Sequence, residues 1–117
     1  MIVDDILDFI NRRIDEHGGN YIDAETAIAP ELAGMKIFDS PLIGVASSDD
    51  EIFEKYLDPG VIGPHFILPR GWLPDAQSVV SIFFPFTQAV RTSNAAVPTW
   101  PSSEWLHGRI EGQMFIA

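Results

Sequence analysis

Few side chains in this 117-residue sequence are of types that do chemistry, and cysteine is not among them. Without thiolates, these residues exclude disulfides, thiolate zinc sites, a cysteine nucleophile and cysteine-ligated iron–sulfur clusters. The remaining candidates lie in one proline-punctuated stretch. His65 follows Gly63-Pro64 and precedes Phe66, where an imidazole can contact a cofactor or substrate, or simply bond loop backbone. Arg70 and Trp72 flank Gly71. A guanidinium there can grip a phosphate or carboxylate, or bond loop carbonyls while the indole anchors the loop. His65, Arg70 and Trp72 are therefore the cofactor-binding candidates.

Two further clusters carry less. Glu104 and His107 form Glu-x-x-His, with Glu111 one turn further along. Paired copies of that element build carboxylate-bridged di-iron sites in helical bundles. One copy is present, so no metal ligand is assigned. Asp49, Asp50, Glu51 and Glu54 lack the alternating ligands and glycine turn of a calcium loop. They read as a solvated helix start, with Ser47 and Ser48 as cap residues. There is no Gly-x-Ser-x-Gly elbow, P-loop or dinucleotide glycine fingerprint. No catalytic residue is assigned.

The scaffold beneath these residues follows from hydrophobic periodicity. Val3, Ile6, Leu7, Ile10 and Ile14 fall on one face of a helix over 3–16, which Gly18-Gly19 ends. Acids near its start and Arg12 and Arg13 near its end complement the helix dipole. Residues 20–40 give no firm element beyond a short helical turn opened by Pro30 and closed by Gly34. Leu42–Ala46 reads as a buried strand. Ser48 and Glu51 match a capping box for a helix over 49–57 that buries Ile52, Phe53, Tyr56 and Leu57. Asp58-Pro59-Gly60 is a turn, and 61–74 an apolar loop. Ser78–Phe84 is the clearest strand, with the composition of one buried on both faces, and Pro85 ends its pairing. Residues 87–101 read as irregular. Ser102 or Ser103 caps a last helix that includes Trp105, Leu106, Ile110 and Met114.

The fold class expected is α/β (α+β): one domain over 1–117, with a small sheet of few strands flanked by helices. Residues 1–40 form an acidic helical lead and 41–117 the α/β part. The last helix meets no stop signal before Ala117. Burying apolar area contributes about 25 cal/mol per Å², so covering Phe115 and Ile116 is worth a few kcal/mol. The domain is expected to be incomplete or completed by an oligomer, through another subunit or further chain over that helix.

Charge narrows the partners. Seventeen acids against seven bases give −10. Fourteen of those acids and four of those bases lie in residues 1–58, while 59–117 is neutral and holds seven of the nine prolines. Nucleic acid and anionic membrane surfaces both need clustered cations, so neither is an expected partner. With 46% apolar residues the chain is not intrinsically disordered. No basic leader, long apolar run or glycosylation sequon occurs, and the compartment expected is the cytoplasm.

The back half carries a resemblance. Gly44-Val45-Ala46, Ile62-Gly63-Pro64-His65, the run Leu68 to Ser81 and Pro85-Phe86 are similar to the N-terminal region of epoxyqueuosine-reductase-like iron–sulfur proteins. Trp105 to Gln113 looks like the helix that follows there. The resemblance spans roughly residues 40–117, and Leu73–Val80 is its most specific block. It implies a corrinoid- and iron–sulfur-dependent reductase fold, with this region contributing to the corrinoid-binding domain. The clusters of such proteins sit in a later Cys-x-x-Cys-x-x-Cys-x-x-x-Cys-Pro segment, which this sequence does not contain. The function expected is a truncated or stand-alone N-terminal domain without independent redox catalysis, a corrinoid being the cofactor the resemblance implies. The alternative is a non-enzymatic self-association or protein-interaction module. The partner is then a second copy held through the last helix, or a missing iron–sulfur segment.

Overall fold

The structure, a computed structural model, describes residues 2–117. In chain order these form α1 (Ile2–Glu16), β1 (Leu42–Ser47), α2 (Glu51–Lys55), α3 (Pro69–Trp72), β2 (Ser78–Phe83), α4 (Gln88–Ala96) and α5 (Ser103–Ile116). β1 and β2 pair in a two-stranded antiparallel sheet. The small mixed α/β architecture expected from the sequence is the one observed. No described helix is long and apolar enough to cross a membrane.

The chain divides into two compact units. One joins the chain up to Leu42 to Phe83–Ala117, and the other is Ile43–Ile82. The first holds a core of Ile14, Ile22, Ile37 and Phe38, with Ile10, Met35, Phe84, Phe86 and Phe115 packed against it. Ile14 enters from the apolar face of α1, whose first turn carries Asp4 and Asp5 and whose last turn carries Arg13. Residues 20–40, without a firm element in the sequence, are built around backbone pairing. Ile22 donates to the Met35 carbonyl at 2.9 Å, Gly34 to Ile22 at 2.8 Å and Ile37 to Asn20 at 2.8 Å. The turn Pro30–Leu32 lies between the paired segments, and Gly34 closes it at φ 81, a left-handed conformation that glycine adopts without a Cβ clash.

Asn20 locks this arrangement from inside. It is fully buried, and its amide donates to the carbonyls of Ile14 at 2.8 Å and Phe38 at 3.0 Å. Its carbonyl accepts from the Phe38 N–H at 2.9 Å. A buried amide bonded at both ends replaces the water it loses, and it ties α1 to the strand-like segment at Phe38.

The last helix turns small residues inward. Ile110 and Met114 are exposed, whereas His107, Gly108 and Gly112 are buried. A Cβ on Gly108 would stand 2.7 Å from the Phe86 ring, and one on Gly112 3.0 Å from the Phe38 ring. The two glycines let α5 lie directly on the aromatic core. Phe115 joins that core, its ring centroid 6.3 Å from Phe38 and 5.5 Å from His17. Phe115, expected to be covered by another subunit or further chain, is half-buried against the core of its own chain. Ile116 remains half exposed.

Residues 87–101 are also more regular than expected. Thr87 precedes α4, and its hydroxyl donates to the Lys36 carbonyl at 2.9 Å rather than capping the helix. Val90 is fully buried. Asn94 accepts from the Ser102 N–H, and Ser102 caps α5 by accepting from Trp105 N–H at 3.0 Å. The helix at 88–96 is hard to read because Thr92, Ser93 and Asn94 run together within it and favour local side-chain bonds over helix interiors.

The unit Ile43–Ile82 is built differently. Ala76 is its one buried apolar residue. Ser48, expected as a helix cap, is instead buried and donates to the Ala76 carbonyl at 2.6 Å. The cap of α2 is Asp50, which accepts from Ile52 N–H at 3.0 Å. Two residues expected inside behave unequally: Ile52 is exposed while Tyr56 is half-buried. Tyr56 sits between Phe53 and Phe66 in edge-to-face contacts at 6.1 and 5.3 Å. Within 61–74, Pro69 opens the single helical turn of α3.

Candidate functional site

The three candidate residues are all exposed, and each has its own surroundings. Arg70 is committed to its own unit: its Nε donates to the Ala76 carbonyl at 3.2 Å and its Nη2 to Asp49 Oδ2 at 3.0 Å. His65 is exposed and folds back over Gly63, whose φ of 127 leaves room for the ring where a Cβ would stand 3.0 Å from it. Trp72 is 75% exposed and anchors nothing. These placements make Arg70 a brace between the start of α2 and the turn before β2.

The Glu-x-x-His element resolves into a structural latch. His107 is buried, and its Nε2 accepts from the Ile28 N–H at 3.1 Å. That bond assigns the ring proton to Nδ1, which faces Glu111 Oε1 at 3.3 Å. The pair ties α5 to the segment before Pro30. Glu104 is not part of it, and no three described His, Asp or Glu residues come together to hold a metal ion. Beside Glu111 lies an open cleft of about 430 Å³, lined among others by Arg13, His17, Asp23 and Phe115. The second Glu111 oxygen has no hydrogen-bond partner, but it is buried beneath the cleft surface and offers a ligand no contact.

The most unusual surface is the sheet itself. In β2 only Val79 is half-buried; Ser78, Val80, Ser81, Ile82 and Phe83 are exposed. In β1, Leu42 and Val45 are exposed at 66% and 53%. The expectation that both strands are buried is overturned. Their composition is that of strands covered on both faces, yet each has a single neighbour and open faces. Two-stranded ribbons are marginal in water without a third strand or a packed helix. This mismatch could not be read in the sequence, where the same residues announce burial without saying what supplies it.

Comparison with protein-family models, with curated proteins and with solved structures finds no match for the chain.

Proposed function

We propose that this chain is an assembly domain without independent redox catalysis, a truncated or stand-alone relative of the N-terminal region of corrinoid/iron–sulfur reductases. The observation that carries the reading is β2: an uncharged Ser-Val-Val-Ser-Ile-Phe strand with Val80, Ile82 and Phe83 exposed. Contiguous exposed apolar surface of this kind marks interaction sites in soluble proteins. The Leu73–Val80 block that carries the resemblance runs directly into that strand. In the truncated form the ribbon is covered by the segment that bears the clusters; in the stand-alone form, by another chain. The cysteine-free composition supports a reducing, cytoplasmic setting.

The test uses a dye that brightens on exposed apolar surface. The purified chain is expected to enhance anilinonaphthalene sulfonate fluorescence at neutral pH, and a V80S/I82S/F83S triple variant to lose most of that enhancement while keeping its helical circular dichroism. A wild-type chain that leaves the dye dark contradicts the assembly role. The corrinoid is a separate arm, supported by the resemblance alone. A shift in the visible spectrum of hydroxocobalamin on titration supports it. An unchanged spectrum at high micromolar concentration removes the corrinoid and leaves the assembly role standing.

A second reading, self-association through α5, is favoured by the exposure of Ile110, Met114 and Ile116 along that helix.

A further inference from the structure

The outer edge of β2 is unprotected. Natural sheets blunt their edges with lysine, proline, bulges or a covering element. Ser78–Phe83 contains no charge, proline or glycine, and among the described residues it makes no backbone hydrogen bond outside its ladder with β1. Asp75 is the only charged residue between Arg70 and Arg91.

Charge decides which partner can approach it. A chain of net charge −10 repels its own copies except where they meet on neutral surface. The two edges differ in the acids that flank them: Asp39, Asp49 and Asp50 beside β1, Asp75 alone beside β2. A two-fold pairing of β1 with its copy, centred on Gly44, sets Asp39 opposite Asp49; centred on Val45, it sets Pro41, which has no N–H, opposite Asp49. Pairing of β2 with its copy centred on Ser81 sets no two acids opposite each other, although Pro85, which likewise has no N–H, falls opposite Gln77 at the end of the pair. It sets Val80 opposite Ile82 on one face, Val79 opposite Phe83 on the other, and Asp75 opposite Thr87.

We infer that β2 pairs antiparallel with β2 of a second copy of this chain, about a two-fold axis through Ser81, giving a continuous four-stranded sheet with β1 on each flank. The inference rests on the assembly reading and names its partner. Such an interface is isologous, so it closes at two copies and uses up the edge that would otherwise recruit further strands. It differs from a dimer through α5, which would leave the sheet edge open.

The test exploits the absence of native cysteine. Directly opposed residues of an antiparallel pair have Cα atoms about 4.5–5.5 Å apart, within the span of a disulfide. Ser81→Cys, a near-isosteric change at an exposed position, is expected to form a covalent dimer under mild oxidation. Its rate should exceed that of Val45→Cys and Met114→Cys by about ten-fold, because pairing raises the effective thiol concentration. Wild-type protein should show twice the chain mass by light scattering at high micromolar concentration. A chain that stays monomeric throughout, or equal cross-linking at the three positions, overturns the inference. Faster cross-linking at Met114 overturns it in favour of α5. A monomer that still brightens the dye removes the second copy and leaves the assembly role; a monomer that leaves it dark removes both.

Discussion

The two units solve the same problem with opposite means. The unit that joins the chain up to Leu42 to Phe83–Ala117 seals an aromatic and aliphatic core, in which Phe38 stacks on Phe86 at 5.1 Å and meets Phe84 edge-on at 5.9 Å. The unit Ile43–Ile82 holds itself by polar braces, Ser48 and Arg70 both binding the Ala76 carbonyl, and leaves its apolar strands open. Hydrophobic burial is the main favourable term in folding. A segment that spends its apolar residues on the surface gains that term only when something covers them. The contrast places the hydrophobic core in the first unit and most of the open ribbon in the second.

The contrast breaks most readily at Phe38. Phe38→Ala removes a ring that is 4% exposed at the centre of three others, and is expected to cost about 3–5 kcal/mol in a denaturant titration. Asn20→Ala follows. It strands the Phe38 N–H and two carbonyls without partners, at an expected cost of about 2–3 kcal/mol by the same measurement. In the open unit the effects should be smaller and local. Ser48→Ala loses one bond, worth about 1 kcal/mol, and should speed hydrogen exchange within Ile43–Ile82 while the core amides stay slow.

The smallest effect concerns Lys36. Its ammonium donates to Asp15 at 2.6 Å, and that hydrogen bond first, with the carboxylate charge, holds its pKa above the ordinary lysine value against a modest desolvation. A cation whose folded pKa is raised contributes its stability in full below the unfolded pKa and loses it as pH climbs through the folded one. Lys36→Met should therefore lower stability by less than about 1 kcal/mol near neutrality. The difference from wild type should vanish in strongly alkaline solution, as melting curves across that range would show.

Much of the scaffold was legible because it is local. The α1 face, the Gly34 turn, the Ser102 cap and the strand at Ser78 each follow from spacing or a single residue's conformational preference. What could not be read is non-local. Asn20 is an ordinary asparagine after two glycines until Ile14 and Phe38 are brought around it. The inward face of α5 is marked by glycines, whose meaning appears only when Phe38 and Phe86 lie against them. The surroundings of Arg70 were hidden for the same reason: its type suits an anionic ligand, and only the fold brings Asp49 and the Ala76 carbonyl against it.

Hydrogen exchange on the wild-type chain at two protein concentrations tests the division between buried core and open edge, and the proposed pairing of that edge, most directly. Amides of Ile22, Ile37 and Phe38 should exchange slowly and equally at both concentrations, whereas those amides of Ser78–Phe83 that point away from β1 should become protected only at the higher one. Protection of Ser78–Phe83 equal to that of the core at the lower concentration would show the strand sealed within a single chain, and would contradict the account.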